Sequence, residues 1–406
     1  MDIKFLRDTI FIGISRGFIF LFSFFINILI AQFTGPEGRG IYSLVSVSIL
    51  LLSLCLSMGM EEAYPFYIAK GEIKKENLIS ILFYYLLIFI IPLLIIFSFL
   101  INNFKIKILP SLDNLSINLI IWGSIFHLGA RVISSSFLGL QNYYLYGFSL
   151  FAYQLFGFII ISIFVILKIL TSKNLPYVPF LSSLFYFLTF FIIILNISNQ
   201  THNINKNVYK KILNYGIPAQ LGVILNFFNL RFDFYLVNFF RGLKDLGIYS
   251  ISTFMAELLY FLPYGIGRAW FPKVPSYEKF KGKKETLKFL LFSFIISLFL
   301  VFILVIFGKE FLKFFFGEKF LPSYTPFLFL IPGGMCLGLT HIIASFLHGI
   351  GKPLFGMIIS LVSIIFTIPL DLILIPKYGI IGASIASSIS YFIAFLTGLY
   401  LFLKEK

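Results

Sequence analysis

Four arginines stand inside long apolar stretches of the chain: Arg16, Arg131, Arg231 and Arg268. Asp233, Glu257 and Asp371 share such surroundings, and Glu61 and Glu62 follow directly on another apolar run. A planar guanidinium presents paired donors to a phosphate or a carboxylate, so these arginines are candidate anion ligands. A carboxylate removed from water either pairs with a cation or takes up a proton. If the stretches cross a membrane, each charge costs at least about 2.5 kcal/mol to insert, which makes it a functional candidate from the outset.

Depth and spacing separate their roles. Arg16 lies about eight residues into the first apolar segment, or roughly 12 Å, which is awkward for a side chain that must reach the headgroups. Two readings stay open for it: an anion contact in a cavity, or a structural ion pair. Arg231 and Asp233 are two residues apart, about 200° around a helix, so they do not pair with each other. Glu257, near mid-depth of its segment, either pairs with an arginine or carries a transported proton. Arg131 and Arg268 lie within about two turns of their segment ends, where a long side chain snorkels to the interface. Asp371, near the outer end of its segment, is expected to cap or to be solvated, and Glu61 and Glu62 to form an interfacial pair. His127 and His341 are lone histidines in apolar runs, read as packing; no metal site and no catalytic group is expected. Cys55 and Cys336 each sit in an apolar run and read as buried thiols instead of a disulfide.

The elements that must position these groups follow from composition. Of 406 residues, 59% are hydrophobic and 12% charged, too little polar surface to coat a water-soluble globule. The net charge of +15 is spread over loops and helix ends, which favours anionic membrane lipids as partner and argues against nucleic acid. Spans of about 20 apolar residues are expected near 9–32, 41–60, 79–101, 116–138, 144–167 and 177–196. After a polar stretch, six more are expected near 213–240, 247–270, 287–308, 324–347, 353–374 and 380–402. The first is too long for a signal-peptide core and is expected to be retained. With the N-terminus inside, 17 of the 32 Lys and Arg fall on the cytoplasmic side and 11 outside, placing both termini in the cytoplasm. The fold class expected is thus an all-α membrane protein of about twelve transmembrane helices in the inner (cytoplasmic) membrane.

An internal repeat organises them. FTGPEGRGIYS at Phe33 to Ser43 recurs as FRGLKDLGIYS at Phe240 to Ser250, an offset of 207 residues, and Ser136 to Gly147 recurs at Ser345 to Gly356 with an offset of 209. The predicted domains are two six-helix bundles, 1–200 and 201–406, in the same membrane orientation and pseudo-symmetric about an axis along the membrane normal. Two bundles rocking about a midplane site would give alternating access. Pro36 with Gly35, Gly38 and Gly40 reads as a tight turn between helices, not a phosphate loop, and Tyr42 and Tyr249 as packing at the turns.

The turn FTGPEGRGIYSLVSV, the exit GMEEAYPFYIAKG, and the blocks running from RFDFYLVNFFRG to VPSYEK and from SFLHGIGKPLFG to GASIASSIS carry a family resemblance. They resemble bacterial polysaccharide flippases of the multidrug, oligosaccharidyl-lipid and polysaccharide exporter superfamily, from Arg16 to about residue 400. The resemblance implies two six-helix bundles that move a polyprenyl-diphosphate-linked oligosaccharide from the cytoplasmic to the outer leaflet through a cation-rich cavity, for surface polysaccharide biosynthesis. It implies no cofactor beyond coupling to a proton or sodium gradient, and membrane lipids and other polysaccharide assembly proteins as partners. Under it, Arg16, Arg131 and Arg231 are diphosphate contacts, and Asp233 and Glu257 coupling or ion-pairing carboxylates. The length leaves no room for the two extra helices of lipid II flippases. A cation-coupled multidrug exporter shares the fold and is the alternative. A glycosyltransferase or polymerase would need catalytic carboxylates on a sizeable outer loop, and a membrane scaffold gives no reason to bury arginines.

Overall fold

The computed structural model describes residues 3–73, 109, 111–197, 206–276, 278–352 and 354–405. The third expected span, 79–101, lies outside the described residues. The others fall on helices, apart from a break at residues 57–59 within the second. The helices are α1 (Ile3–Leu56), α2 (Met60–Ala69), α3 (Asn114–Gly139), α4 (Tyr143–Ile166), α5 (Tyr177–Ile197), α6 (Lys206–Trp270), α7 (Lys279–Phe316), α8 (Tyr324–Gly349), α9 (Leu354–Tyr378) and α10 (Ile380–Lys404). Among the described residues no strand occurs, and nine helices are long and apolar enough to cross a membrane.

Two of the nine are too long for a single crossing. The 54 residues of α1 would extend roughly 81 Å if straight, against a hydrocarbon core of about 30 Å. The helix is interrupted at Gly35 (φ 69°, ψ −167°), and the 65-residue α6 is interrupted at its repeat mate Gly242 (φ 82°, ψ −179°). That backbone region is open essentially to glycine alone. Pro36, directly after the first break, suits the first position of the helix that follows, where no amide donor is needed. The sequence repeat is therefore a structural one: the same bend sits at the same place in both halves. A second pair of mates, Gly40 and Gly247, pack backbone against backbone, where a Cβ on either would overlap a carbonyl of the other turn.

Two compact units emerge: Met1–Thr34 with Ile41–Ile224, and Gly35–Gly40 with Leu225–Lys406. In the first, α3 packs on α2 and α5 around Leu128, Val132, Phe137 and Phe190. The start of α6 belongs to this unit: Gln220 donates to the Leu54 carbonyl at 2.7 Å, Tyr215 stacks on Phe66 with ring centroids 4.6 Å apart, and Lys211 pairs with Glu72 at 2.7 Å. In the second, α10 lies between α8 and α9, and its buried Gly382, Ala383, Ala386 and Ser390 allow close helix approach where lipid supplies no hydrophobic drive. On α7, Phe292, Phe299, Phe302 and Phe307 are exposed, as a lipid-facing surface requires.

Candidate functional site

The bend at Gly242 brings the two parts of α6 together in the second unit. Before it, Asn229 and Asp233 are one turn apart; after it, Tyr249, Thr253, Glu257 and Tyr260 follow at helical spacing along one face. Tyr249 Oη donates to Asp233 Oδ2 at 2.5 Å, the Phe234 amide donates to Oδ1 at 2.9 Å, and Ser387 of α10 donates to Oδ2 at 3.4 Å. Arg231 forms an ion pair with Glu257, and its guanidinium lies 5.2 Å from the centre of the Phe234 ring. Arg231, Asp233, Tyr249, Glu257, Tyr260 and Ser387 line a small pocket of about 30 Å³ together with Leu330, Gly334 and Tyr391. A charged pair flanked by tyrosines suits a ligand with both an anionic group and hydroxyls.

Behind the pocket, α9 supplies a polar stripe. Ser363 donates to Asn229 Oδ1 at 2.7 Å and Thr367 to the same atom at 3.3 Å. One turn on from Thr367 comes Asp371, fully buried at 0% exposure, with no hydrogen-bond partner on either oxygen. This overturns the expectation that Asp371 caps or is solvated: depth along a helix does not set which face a residue takes, and its face is the one turned to Asn229 and Asp233. The two carboxylates act on one another electrostatically. Two buried carboxylates so placed repel one another when both are charged.

The remaining candidates lie elsewhere. In the first unit, Arg131 pairs with Glu61 at 2.5 Å, so it does not simply snorkel, and Glu61, 11% exposed, is its ion-pair partner. Arg16 is half-buried on the first part of α1, also in the first unit. Arg268 donates from Nε to Tyr264 Oη at 3.0 Å. Arg231 and Asp233 do not pair, as their spacing required, whereas Glu257 does form an ion pair. Cys55 is exposed instead of buried, and Cys336 is half-buried; both are free thiols. Sequence reasoning missed the stripe Ser363, Thr367, Asp371, although its spacing of four was a readable signal. It also took Tyr249 as packing alone, when its hydroxyl holds Asp233.

Ion pairs within long apolar helices, bent at repeat-related glycines, define a multi-pass membrane protein built on an internal repeat. Its fold is similar to that of the lipid II flippase MurJ in an inward closed conformation, with a TM-score of 0.76 at 18% identity, covering 97% of this chain and 87% of that one. The chain belongs to the family described as polysaccharide biosynthesis protein, whose model matches residues 5–278. The MatE model also matches, over residues 218–373. A Shigella flexneri protein named as an O-antigen transporter is 27% identical over 183 residues, 45% of this chain and 44% of that protein. A Haloferax volcanii protein named as the low-salt glycan biosynthesis flippase Agl15 is 22% identical over 188 residues, 45% of this chain and 39% of that protein. The matches thus span less than half the length of these relatives. They are transporters and flippases, not enzymes.

Proposed function

We propose that the protein flips a polyprenyl-diphosphate-linked oligosaccharide from the cytoplasmic to the outer leaflet by alternating access, for surface polysaccharide biosynthesis. The observation that carries this reading is the Arg231–Glu257 pair in a tyrosine-lined pocket at membrane depth: it offers a guanidinium for a phosphate and hydroxyls for a sugar. Arg16 and Arg131 are further diphosphate contacts on the first unit. The working architecture is about twelve spanning helices, two repeat halves at 1–200 and 201–406, and both termini in the cytoplasm of a cell with this protein in its inner membrane. Membrane lipids and polysaccharide assembly proteins are its partners in that setting.

Coupling belongs to Asp233 and Asp371. Two buried carboxylates repel unless a proton or sodium ion sits between them, so cation occupancy changes the packing of α6 against α9 and α10. The superfamily's cation-coupled multidrug export is the second reading, favoured by the MatE match across this same region. Expression in a bacterium lacking its own oligosaccharide flippase tests the two. The first reading expects surface polysaccharide to be restored by the wild type and lost in the Arg16→Ala/Arg231→Ala variant. Full export by that variant would remove the anion contacts from the account, and cationic-dye efflux without restored polysaccharide would favour the second reading.

A further inference from the structure

The pair Glu61–Arg131 in the first unit is not explained by packing alone. Glu61 stands in the first turn of α2, immediately after a break where Met58 and Gly59 both take left-handed φ values of 43° and 80°. Its side chain is 11% exposed; one oxygen takes the Arg131 guanidinium and the other, Oε1, is buried without a hydrogen-bond partner. On α3, His127 lies one turn before Arg131 and hence on the same face. It is 8% exposed, with Nδ1 likewise buried and unpartnered. Two titratable atoms with no partner therefore flank one arginine. Such groups are costly in a membrane protein unless a second state uses them.

Among the described residues the surroundings are polar, and Arg131 is the cation acting on Glu61 and His127. From α2 comes Glu62, a second negative charge acting on Glu61. From α5, Tyr186 lies with its ring centroid 5.9 Å from that of His127, and its hydroxyl is 2.9 Å from Ser134 Oγ. From α4, Tyr153 meets the His127 ring edge-on at 4.8 Å, and Tyr146 acts on Tyr186. A proton entering this cluster is therefore taken by Glu61 or His127, since the tyrosines are neutral and Arg131 is already charged.

We propose that Arg131 is a proton-gated anion site: Glu61 occupies the guanidinium as a resident surrogate for phosphate, and protonation of the Glu61–His127 cluster frees it for the diphosphate of a lipid carrier. The exchange balances. The Arg131–carboxylate contact breaks, an Arg131–phosphate contact forms, and the carboxylate's negative charge is either removed by a proton on Glu61 Oε1 or offset by the positive charge of a proton on His127 Nδ1. Glu61 stands at a helix start, where a tighter turn with the Met60 amide donating to the Ser57 carbonyl at 2.8 Å interrupts the regular helical ladder. This rests on the flippase reading and adds to it a second anion site, linked to pH and separate from the Arg231 pocket.

Binding of farnesyl diphosphate to the purified protein in detergent, followed at pH 6 and pH 8, tests it; variants share the probe, so the probe's own titration cancels in each comparison. The wild type should bind at least about fivefold more tightly at pH 6 than at pH 8, beyond the change seen in Glu61→Gln. The Glu61→Gln variant should bind about tenfold more tightly than wild type at pH 8, and Arg131→Gln in that background should abolish the gain. Equal affinities for wild type and Glu61→Gln at pH 8 would overturn the proposal, as would a gain that survives loss of Arg131. Should Glu61→Gln fail to fold, His127→Gln must reduce the wild type's pH dependence, and an unchanged profile there counts against the site equally. Failure of the flippase reading is seen separately, as absence of oligosaccharide export with diphosphate binding intact.

Discussion

Tyr249 donates a 2.5 Å hydrogen bond to Asp233 across the bend of α6, joining two residues 16 apart in the chain. The bend exists because Gly242 tolerates a backbone conformation that other residues resist, so the pocket depends on a single residue with no side chain.

Replacing that glycine tests the dependence. Gly242→Ala is expected to cost roughly 1–3 kcal/mol, the range for a residue forced into a glycine-only region. Gly35→Ala, at the mate position, should cost a similar amount. Thermal unfolding in detergent measures both, and a loss below about 0.5 kcal/mol would mean the bends have other causes.

The ion pair of the pocket separates stability from transport. Arg231→Gln leaves the Glu257 charge uncompensated and should destabilise by roughly 1–3 kcal/mol, less than for a fully buried pair because the two side chains are 28% and 26% exposed. Adding Glu257→Gln should recover most of that stability without recovering transport. Recovery of both would make the pair structural.

Asp371 predicts a trade-off. It is buried with neither oxygen partnered, so Asp371→Asn removes the repulsion with Asp233 and should raise the melting temperature by a few degrees. The same variant should transport at least about tenfold more slowly, and a gradient of the coupling ion should no longer accelerate it. Wild-type coupling in Asp371→Asn would take the carboxylate pair out of the mechanism.

At the start of α3, Asp113 caps the helix by accepting from the Ser116 amide at 2.9 Å, and hydrogen bonding from the Ser116 hydroxyl, with that from its amide, holds the carboxyl below the usual range. A carboxyl depressed in the folded state contributes stability above its unfolded pKa, and that contribution fades as pH falls through the folded value. Asp113→Ala should therefore cost about 0.5–1 kcal/mol at pH 7 and clearly less at pH 3. A difference that grows with acid would contradict the cap.

Much of this was legible beforehand, for reasons particular residues make plain. The matching glycines at 35 and 242 announce the duplication because a forced backbone conformation leaves a one-residue signature. The deep arginines stand out because a charge in an apolar run is costly. Their partners do not: Glu61 is 70 residues from Arg131, and Glu257 is 26 from Arg231, and periodicity says nothing about which helices meet. Asp371 was misread for a related reason. Its position along α9 was weighed, but its face, shared with Ser363 and Thr367, decides its burial.

The most direct measurement reconstitutes the purified protein into liposomes bearing a fluorescent polyprenyl-diphosphate oligosaccharide and follows the pool shielded from an impermeant quencher. The wild type should empty that pool at least about tenfold faster than protein-free vesicles, and Arg231→Gln/Glu257→Gln, though folded, should not. A shielded pool that persists with wild-type protein, under either a proton or a sodium gradient, would contradict the flippase reading.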